Sequence, residues 1–546
     1  MKTYNKIFMA LICSGLAFAA TSCSNDMFDL YPTDTMQIET YGYNDTEVQN
    51  VFLDSYYYLR SLSSNIFQIN SVGTDEAYDF KKNNSQGQIE LNESSWDATF
   101  GISSSVWSDC YYMINRCNYA LDHLENLSAG GKTQIEGEAK FMRAYAYFNL
   151  VRLFGPVPLT TSVIGTYTDL YNYDREPVEN IYKVIDSDIE TAIKNLPESY
   201  SNASMVGRAT KIAALALKAE AQMTRQNFAG AKTTLESIIS YSNSNPSKLG
   251  LEDHVKMVYD STNPNGKEII FAAQFNNGAT QITNGFMGAC YLAPTTAEKQ
   301  PAYYYPDGKK STIPATIGNS TFLMTWELWN ALREDGGERF EAVANNSVYG
   351  DGAESVPSEY VWTTNVGGRH CTNFPNSMKY FDFQNEGLDK ALSSCDNIIY
   401  RYAGILLMYA ECLNEGGSSD EAVKYINMIR KRAGVADCTA KSQADVRLAI
   451  ENENFLELNF EGHRWFDLVR TGRITPVMEA HFAHRTPGLA PDAQGSDNGM
   501  SVASADATSG TPAKWKWTGK SDPVLFPIPY NQIQLCDRWE QNSIYK

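Results

Sequence analysis

Apolar side chains recur at the i, i+3, i+4 spacing of an amphipathic helix in three parts of the chain. The first part starts at Trp107 and is stopped by the prolines of GPVPL, because proline fits poorly inside a helix. The second covers residues 179–240, and the third covers residues 400–434. The clearest apolar faces are formed by Phe141, Ala144, Tyr145, Phe148 and Val151, and by Tyr402, Ile405, Leu406, Tyr409 and Leu413. These patterns predict long helices, each with one face against a core.

Two of the predicted helix pairs resemble each other. Ala219 and Ala231 stand twelve residues apart across a polar turn, and so do Ala410 and Ala422. Small residues at a fixed spacing let antiparallel helices approach closely, and the lengths suit tetratricopeptide-like hairpins. We therefore predict an all-α fold of stacked helical hairpins that is interrupted by long loop insertions and contains a few short strands.

Four long segments lack a sustained helical period and are rich in Gly, Ser, Asn, Thr and aromatic residues. They are residues 63–100, 276–320, 345–395 and 484–522. Loops of this length in a compact protein are more often functional than idle. Short strands are expected among them, such as KEIIFAAQF at residues 267–275.

The first 22 residues have the pattern of an export signal. Lys2 and Lys6 precede fourteen mostly apolar residues, which as a helix reach about 21 Å, short of the roughly 30 Å hydrocarbon core of a bilayer. Small residues then precede Cys23, as in the cleavage box of bacterial lipoproteins. We expect residues 1–22 to be removed, Cys23 to carry acyl chains, and residues 23–45 to form a linker. Its acidic start at Asn25, Asp26 and Asp29 looks like a signal for the outer face of the outer membrane.

The charge of the chain narrows the choice of ligand. Its formal net charge is −19, and removal of residues 1–22, with two lysines and no acids, makes it 43 − 64 = −21. A chain this acidic repels phosphate backbones and other polyanions, so we expect no nucleic-acid partner and a neutral or cationic ligand.

Two features could indicate a disulfide or a metal site. Cys110 and Cys117 lie seven residues apart in a helical pattern, about 10 Å along one axis, which is too far for a disulfide. Most cysteines are therefore expected to be small buried apolar residues. His481 and His484 form an HxxH without a third ligand nearby in the sequence, so we predict no metal and no cofactor.

An enzyme was considered as an alternative. No HExxH, GxSxG, Walker A or GxGxxG motif occurs. Glu457 and Glu461 stand at i, i+4 and could reach the carboxyl spacing of a retaining glycosidase. The apolar residues between them favour paired charges at a helix junction instead. We predict no catalytic residues and keep a hydrolase using these two glutamates as the alternative.

Aromatic residues in the long loops indicate carbohydrate binding. A pyranose has an apolar C–H face on which a flat ring can stack, while Asp, Asn or Arg side chains bond its hydroxyl rim. The alternative for each aromatic ring is packing onto the protein body, which we expect for Trp326 and Trp329 in TWELWNAL. The predicted ligand-binding residues are Asp75, Glu76, Asn92, Trp96, Tyr303, Tyr304, Tyr305 and Trp362.

Several stretches together resemble the SusD/RagB family of surface glycan-binding lipoproteins. They are GEAKFMRAYAYFNLVRLFGPVPL, GRATKIAALALKAEA, IYRYAGILLMYAECLNE, INMIRKRAG, IENENFLELNFEGHRWFDLVRTGRI and LFPIPYNQIQ. The resemblance implies one SusD-like domain over residues 46–546, with an N-terminal part at about 46–275 and a C-terminal part at about 276–546. It also implies four tetratricopeptide-like helix pairs, with loops forming the ligand surface.

The resemblance implies a partner and a location as well. The partner would be a SusC-like TonB-dependent transporter, over which the chain sits as a lid in the outer membrane, facing the cell exterior. The expected function is to bind an oligosaccharide or polysaccharide and deliver it to that transporter. A RagB-like protein that takes up peptides and a helical scaffold in the periplasm remain alternatives. The chain departs from the family at QNSIYK, where QNPGY-like endings are usual, and in the insertion at 484–518.

Overall fold

The computed structural model describes residues 44–79, 90–92, 94–276, 302–304, 310–314, 322–348, 373–377, 379–380, 393–484 and 524–545. The predicted signal, Cys23, Tyr305 and Trp362 lie outside these residues. The described helices are α1 Asp45–Ser71, α2 Gly101–Asp122, α3 Ala129–Phe154, α4 Val178–Asn195, α5 Lys211–Thr224, α6 Phe228–Ser244, α7 Trp326–Asp335, α8 Glu338–Val343, α9 Tyr402–Glu415, α10 Ser419–Arg432, α11 Gln443–Glu457, α12 Arg464–Arg470, α13 Ile474–His484 and α14 Tyr530–Leu535.

Four helix pairs form the body of the protein. The members α1 and α2, α3 and α4, α5 and α6, and α9 and α10 pack against each other, and successive pairs meet through α2 with α3, α4 with α5, and α6 with α9. The predicted all-α fold of stacked hairpins is thereby confirmed. Ala219, Ala231, Ala410 and Ala422, on which the prediction rested, are all fully buried.

Local sequence explains where several helices begin and how closely two of them pack. The side chains of Ser128, Thr210 and Ser442 accept hydrogen bonds from backbone N–H groups in the first turns of α3, α5 and α11, as N-cap residues do. At the crossing of α3 and α4, a Cβ on Gly137 would lie 3.0 Å from the Leu196 side chain. A larger residue there would press on Leu196, so glycine lets the two helices approach closely.

One predicted boundary is wrong. Residues 63–71 were assigned to a loop, whereas they form the last turns of α1. Small polar residues occupy buried positions there and hide the apolar period. The Ser63 hydroxyl donates to the carbonyl of Arg60, and the Asn70 amide donates to the carbonyl of Ile66, so both are buried without loss of hydrogen bonds.

Short strands connect and cover the helices. They are β1 Ala77–Asp79, β2 Val157–Pro158, β3 Arg175–Glu176, β4 Ile269–Ala273, β5 Ala302–Tyr304, β6 Lys310–Pro314, β7 Phe322–Met324, β8 Ala344–Val348, β9 Asn373–Ser377 and β10 Asn397–Arg401. β1 pairs with β7, β4 with β10, and β2 with β3, while a four-stranded sheet has the order β6-β5-β8-β9. The strand predicted within residues 267–275 is confirmed as β4.

The C-terminal segment closes the core against α2 and α3. The Phe526 N–H donates to the carbonyl of Leu153 over 2.7 Å, and the Phe526 ring packs on Phe100 and Trp465. Cys110 and Cys117 are buried free thiols, as predicted. Trp329 is buried in α7, as predicted, whereas the Trp326 side chain is outside the described part. Among the described residues, no helix is both long and apolar enough to cross a membrane.

Candidate functional site

The stretches predicted to contact a ligand begin at neighbouring points of the fold. β1 pairs antiparallel with β7, and Asp79 lies opposite Phe322. The chain therefore leaves β1 at the same end of this small sheet at which it enters β7. The segment that follows residue 79 therefore begins beside the point at which the segment before residue 322 ends.

The tyrosine-bearing strand belongs to the same group of strands. Tyr303 and Tyr304 lie on β5 of the four-stranded sheet, and β9 of that sheet contacts β7. Ala302 of β5 also pairs with Val348, the last residue of β8, from which the chain continues toward Trp362. The tertiary structure thus brings the ends of three aromatic-rich stretches into one cluster of strands.

Asp75 anchors the start of this cluster to the helical body. Its carboxylate accepts two hydrogen bonds from the Arg464 guanidinium of α12, at 2.9 and 2.7 Å. Burial alone would raise the pKa of Asp75, but the Arg464 charge outweighs it and holds the pKa below its ordinary value. The Asp75 backbone carbonyl accepts a hydrogen bond from the Thr325 hydroxyl, which ties the root of β1 to the start of α7.

Glu76 is a second buried anchor, and it differs from Asp75 in its charge. Its carboxyl accepts hydrogen bonds from the Ser71 hydroxyl and the Phe460 N–H, both at 3.0 Å. Its carbonyl accepts the Thr325 N–H, also at 3.0 Å. No described Lys or Arg forms an ion pair with Glu76, and burial raises the pKa of its carboxyl to about 8. At neutral pH this side chain is therefore largely a neutral carboxylic acid.

Asn92 and Trp96 are likewise part of the interior. The Trp96 indole N–H donates to the Tyr545 hydroxyl over 2.9 Å, and the ring packs edge-on against Trp465 and tilted against Phe526. The structure thus contradicts the exposed loop placement of Asp75, Glu76, Asn92 and Trp96, all four of which are buried. Asp75, Glu76 and Trp96 have partners within residues 460–465 and 526–545, which no local pattern connects to this stretch.

For the other predicted ligand residues the prediction stands unchanged. The backbone of Tyr303 and Tyr304 lies on β5, and Tyr305 and Trp362 fall outside the described residues. Ligand contact by these four aromatic residues therefore stays a prediction.

The two glutamates of the hydrolase alternative lie in a buried cluster of charges. The Arg401 guanidinium donates to Glu457 over 2.7 Å and to Glu461 over 2.7 and 2.8 Å. Arg432 also pairs with Glu457, and the Lys379 ammonium lies 2.6 Å from Glu461. Neither glutamate faces an open cleft.

The electrostatics of this cluster do not suit acid/base chemistry. Burial would raise the pKa of each carboxyl, but Arg432, Arg401 and Arg339 hold that of Glu457 far below its usual range. Arg401 and Lys379 lower the pKa of Glu461 to about 2. A glycosidase acid must keep its proton near neutral pH. The favoured interpretation, paired charges at a helix junction, agrees with this geometry.

The HxxH motif is also engaged within the protein. The buried His481 ring donates a hydrogen bond through Nδ1 to the Glu327 carboxylate of α7 over 2.5 Å. In the part of the chain that the structure describes, no three His, Cys, Asp or Glu side chains are grouped to hold a metal ion.

A cavity of about 580 Å³ lies between α11, α12 and the start of α6. Sequence reasoning did not identify it, because its lining is spread over distant segments. Its arginines already pair with lining carboxylates: Arg470 with Glu411, Arg473 with Glu451, and Arg447 with Glu415. We therefore assign these charges to ion pairs between helices and not to a ligand site.

Family models match both halves of this architecture. The model of the SusD family matches residues 319–545, and a SusD-like model described as starch-binding associating with outer membrane matches residues 36–221. The chain belongs to the SusD family. The predicted family membership is confirmed.

Known SusD-like proteins match most of the chain. The SusD-like protein P38 of Formosa agariphila is 28% identical over 396 residues, which are 68% of this chain and 73% of that protein. The starch-binding protein SusD of Bacteroides thetaiotaomicron is 24% identical over 536 residues and covers 87% and 91%. The structure of a laminarin-binding SusD-like protein superposes with a TM-score of 0.69 at 21% identity, over 92% of this chain and 99% of that one. This last likeness concerns the fold alone.

Proposed function

We propose that this SusD-family chain is a lipoprotein on the cell surface that binds a neutral oligosaccharide or polysaccharide and delivers it to a SusC-like TonB-dependent transporter. The observation that carries the proposal is the convergence of three aromatic-rich stretches at the β1–β7 and β5–β8 pairings. Tyr303 and Tyr304, whose backbone lies on β5, and Trp362, which follows β8 in the sequence, would supply the stacking surfaces that sugar rings require.

The comparisons and the charge support this choice of ligand. One relative is named a starch-binding protein, and one structural neighbour is named laminarin-binding. Both of these polymers are neutral glucans, and the formal net charge of −19 disfavours polyanionic ones. The location rests on the apolar leader, Cys23 and the acidic residues behind it, together with the outer-membrane description of the matching model.

Affinity gel electrophoresis of the chain from residue 24 onward tests glycan binding. Starch, laminarin, xylan and galactomannan are cast separately in native gels, and we expect retardation by at least one of them. A Tyr303→Ala/Tyr304→Ala variant and a Trp362→Ala variant should run faster than the wild type in that gel. Tyr173→Ala is the matched control, because Tyr173 is exposed elsewhere on the surface.

Two outcomes would redirect the proposal. If none of the glycans retarded the chain and the chain bound peptides, the RagB-like alternative would replace glycan binding. If the wild type released reducing sugar and a folded Glu461→Gln variant did not, the hydrolase alternative would replace the proposal.

Anchor, location and partner are tested separately. Mass spectrometry of the native N-terminus should show an acylated Cys23, and proteinase K added to intact cells should digest the chain. A tagged chain solubilised from its own outer membrane should co-purify with a TonB-dependent barrel. Failure of the last result alone would remove delivery and leave binding in place.

A further inference from the structure

The helix pair α1–α2 exposes a cluster of tyrosines outside the loop-bearing strands. Tyr57 is 61% exposed and Tyr112 is 39% exposed. The Tyr58 ring stacks on Tyr112 with 5.0 Å between centroids and an angle of 23°, and Tyr57 meets Tyr58 edge-on at 5.6 Å. Aromatic side chains are mostly buried, so this grouping at the surface calls for an explanation.

A polar groove of about 520 Å³ adjoins these rings. It is lined by hydroxyl side chains from both helices: Ser61 of α1 and Ser104, Ser105 and Ser108 of α2. Residues three or four positions apart share one helix face. Ser108 therefore lies on the same face of α2 as Tyr112, and Ser61 lies on the same face of α1 as Tyr57 and Tyr58. The groove and the tyrosine cluster therefore form one continuous face.

A fourth aromatic ring borders the groove at its other end. Tyr530, the first residue of α14, is 49% exposed and lines the groove. Its backbone N–H donates to the carbonyl of Ala98 over 2.7 Å, which holds α14 against the start of α2. From Gly101 to Tyr112 a helix rises about 16 Å, so rings stand at both ends of a groove of roughly that length.

The floor of the groove carries a carboxyl group without a cationic partner. Asp109 is 9% exposed and accepts a hydrogen bond from the Asn65 amide at 3.4 Å. Within the described residues it forms no ion pair. Burial raises the pKa of Asp109 to about 6, against hydrogen bonds from Ser61 and Asn65 that lower it. At neutral pH the group is mainly a carboxylate, which a hydroxyl donor can reach from the groove.

We propose that this face, from Tyr530 across the serine groove and Asp109 to Tyr58 and Tyr112, is a second contact site for the glycan. The flat rings stack on the C–H faces of sugar units, and the serine hydroxyls and Asp109 bond the hydroxyl groups between them. This inference rests on the proposed function and adds a site on the rigid helical body to the one on the loops. A long polymer could then be held at two separated points, which raises its overall affinity.

A protein partner fits this face less well. Cores of protein interfaces are depleted in Ser and Asp relative to the rest of the surface, whereas the centre of this face consists of serines and a carboxyl group. Small hydroxyl groups around a concave carboxylate that has no cationic partner among the described residues are better matched to a ligand that consists mainly of hydroxyls.

The test measures glycan affinity of the mature chain by isothermal titration, with the polysaccharide that retards the wild type most among starch, laminarin, xylan and galactomannan. Tyr530→Ala and Tyr112→Ala each remove one ring, and Ser105→Leu fills the groove at an exposed helix position. We expect each to weaken affinity about 3- to 10-fold. Tyr173→Ala should leave affinity unchanged, and thermal melting checks that every variant is folded.

The outcomes separate this inference from the proposed function. Wild-type affinity in all three face variants, together with loss of binding in Tyr303→Ala/Tyr304→Ala, would overturn the second site and leave the proposed function standing. No binding of any of the four polysaccharides by the wild type would overturn both. Unchanged glycan affinity with lost co-purification of a membrane protein would assign the face to a protein partner and overturn the inference.

Discussion

Two buried anchors hold the strand cluster and its neighbouring helices: the charge cluster around Arg401 and the carboxyl of Glu76. They differ in the protonation state of their carboxyl groups. Around Arg401, three glutamates, Glu268, Glu457 and Glu461, are matched by cations within hydrogen-bonding distance. The Glu76 carboxyl, by contrast, accepts hydrogen bonds from neutral donors, the Ser71 hydroxyl and the N–H of Phe460, the residue before Glu461. The neighbouring cations lower the pKa values of Glu457 and Glu461, which stay ionised, while Glu76 takes up a proton. Burial acts alike on both, so the nearby cation decides the protonation state.

The largest expected effect comes from removing the shared cation. Arg401→Met leaves Glu457 and Glu461 buried with fewer positive partners, and we expect the free energy of unfolding to fall by about 3–5 kcal/mol. Urea denaturation at pH 7 measures it. A loss below about 1 kcal/mol would show that Arg432 and Lys379 compensate, and the contrast between the two anchors would then be weaker than described.

Glu76 should give a smaller effect of characteristic pH dependence. Its carboxyl is raised to a pKa of about 8 in the folded state, above its ordinary value near 4.5. Between these values the folded chain keeps a proton that the unfolded chain has lost, so stability falls as pH rises from about 4.5 to 8. Glu76→Gln keeps an acceptor for Ser71 and Phe460 but cannot ionise.

The measurement is the melting temperature of wild type and Glu76→Gln at several pH values from 4.5 to 8.5. We expect the variant to match the wild type near pH 4.5 and to be more stable at pH 8, by on the order of 2 kcal/mol. Parallel curves over this range would mean that Glu76 ionises normally in the folded protein. Asp109 and Asp396, whose pKa values are also raised, leave a residual slope in both proteins.

Glu461 should act on the opposite side of the pH scale. Because its folded pKa is lowered to about 2, its contribution is complete above its ordinary pKa and is lost as pH falls from about 4.5 toward 2. Acid unfolding followed by tryptophan fluorescence should begin at higher pH in Lys379→Met than in the wild type. An unchanged acid midpoint would indicate that Arg401 alone holds the Glu461 charge.

The smallest effect is expected at the surface, where water replaces the missing partner. Arg225 forms a bidentate pair with Asp186, at 2.9 and 2.8 Å, and both side chains are about a third exposed or more. Arg225→Met should cost less than about 1 kcal/mol. Urea denaturation of Arg225→Met and Arg401→Met compares the same chemical change in an exposed and a buried environment. Similar losses of unfolding free energy in both variants would refute the role given to burial.

Much of the scaffold could be predicted because its signals are local. The apolar period from Phe141 to Val151 predicts the buried face of α3, and the spacing of Ala219 and Ala231 predicts the close contact of α5 with α6. Helix 63–71 was missed because Ser63 and Asn70 are buried polar residues whose hydrogen bonds are satisfied within the helix. A hydropathy pattern cannot show such satisfaction.

The candidate site could be predicted only in part. The aromatic stretches were recognisable from composition. Whether each of their side chains is buried, and what it contacts, depends on residues far along the chain. Trp96 meets Tyr545, and Asp75 meets Arg464. Both were predicted to contact ligand, and both are buried: Asp75 ties the root of β1 to α12, and Trp96 packs against Trp465 and Phe526.

By itself, the sequence determined the helical hairpins, the family and the type of ligand to expect, since these depend on spacing, composition and charge. Tertiary structure decided which polar groups are anchors, where the three aromatic stretches start, and that Tyr530 borders the serine groove of α1 and α2. The physical reason is that burial and charge pairing are properties of neighbours in space. Glu76 and Glu461 are the same amino acid in equally dry surroundings, and only the position of Arg401 and Lys379 makes one of them an ion.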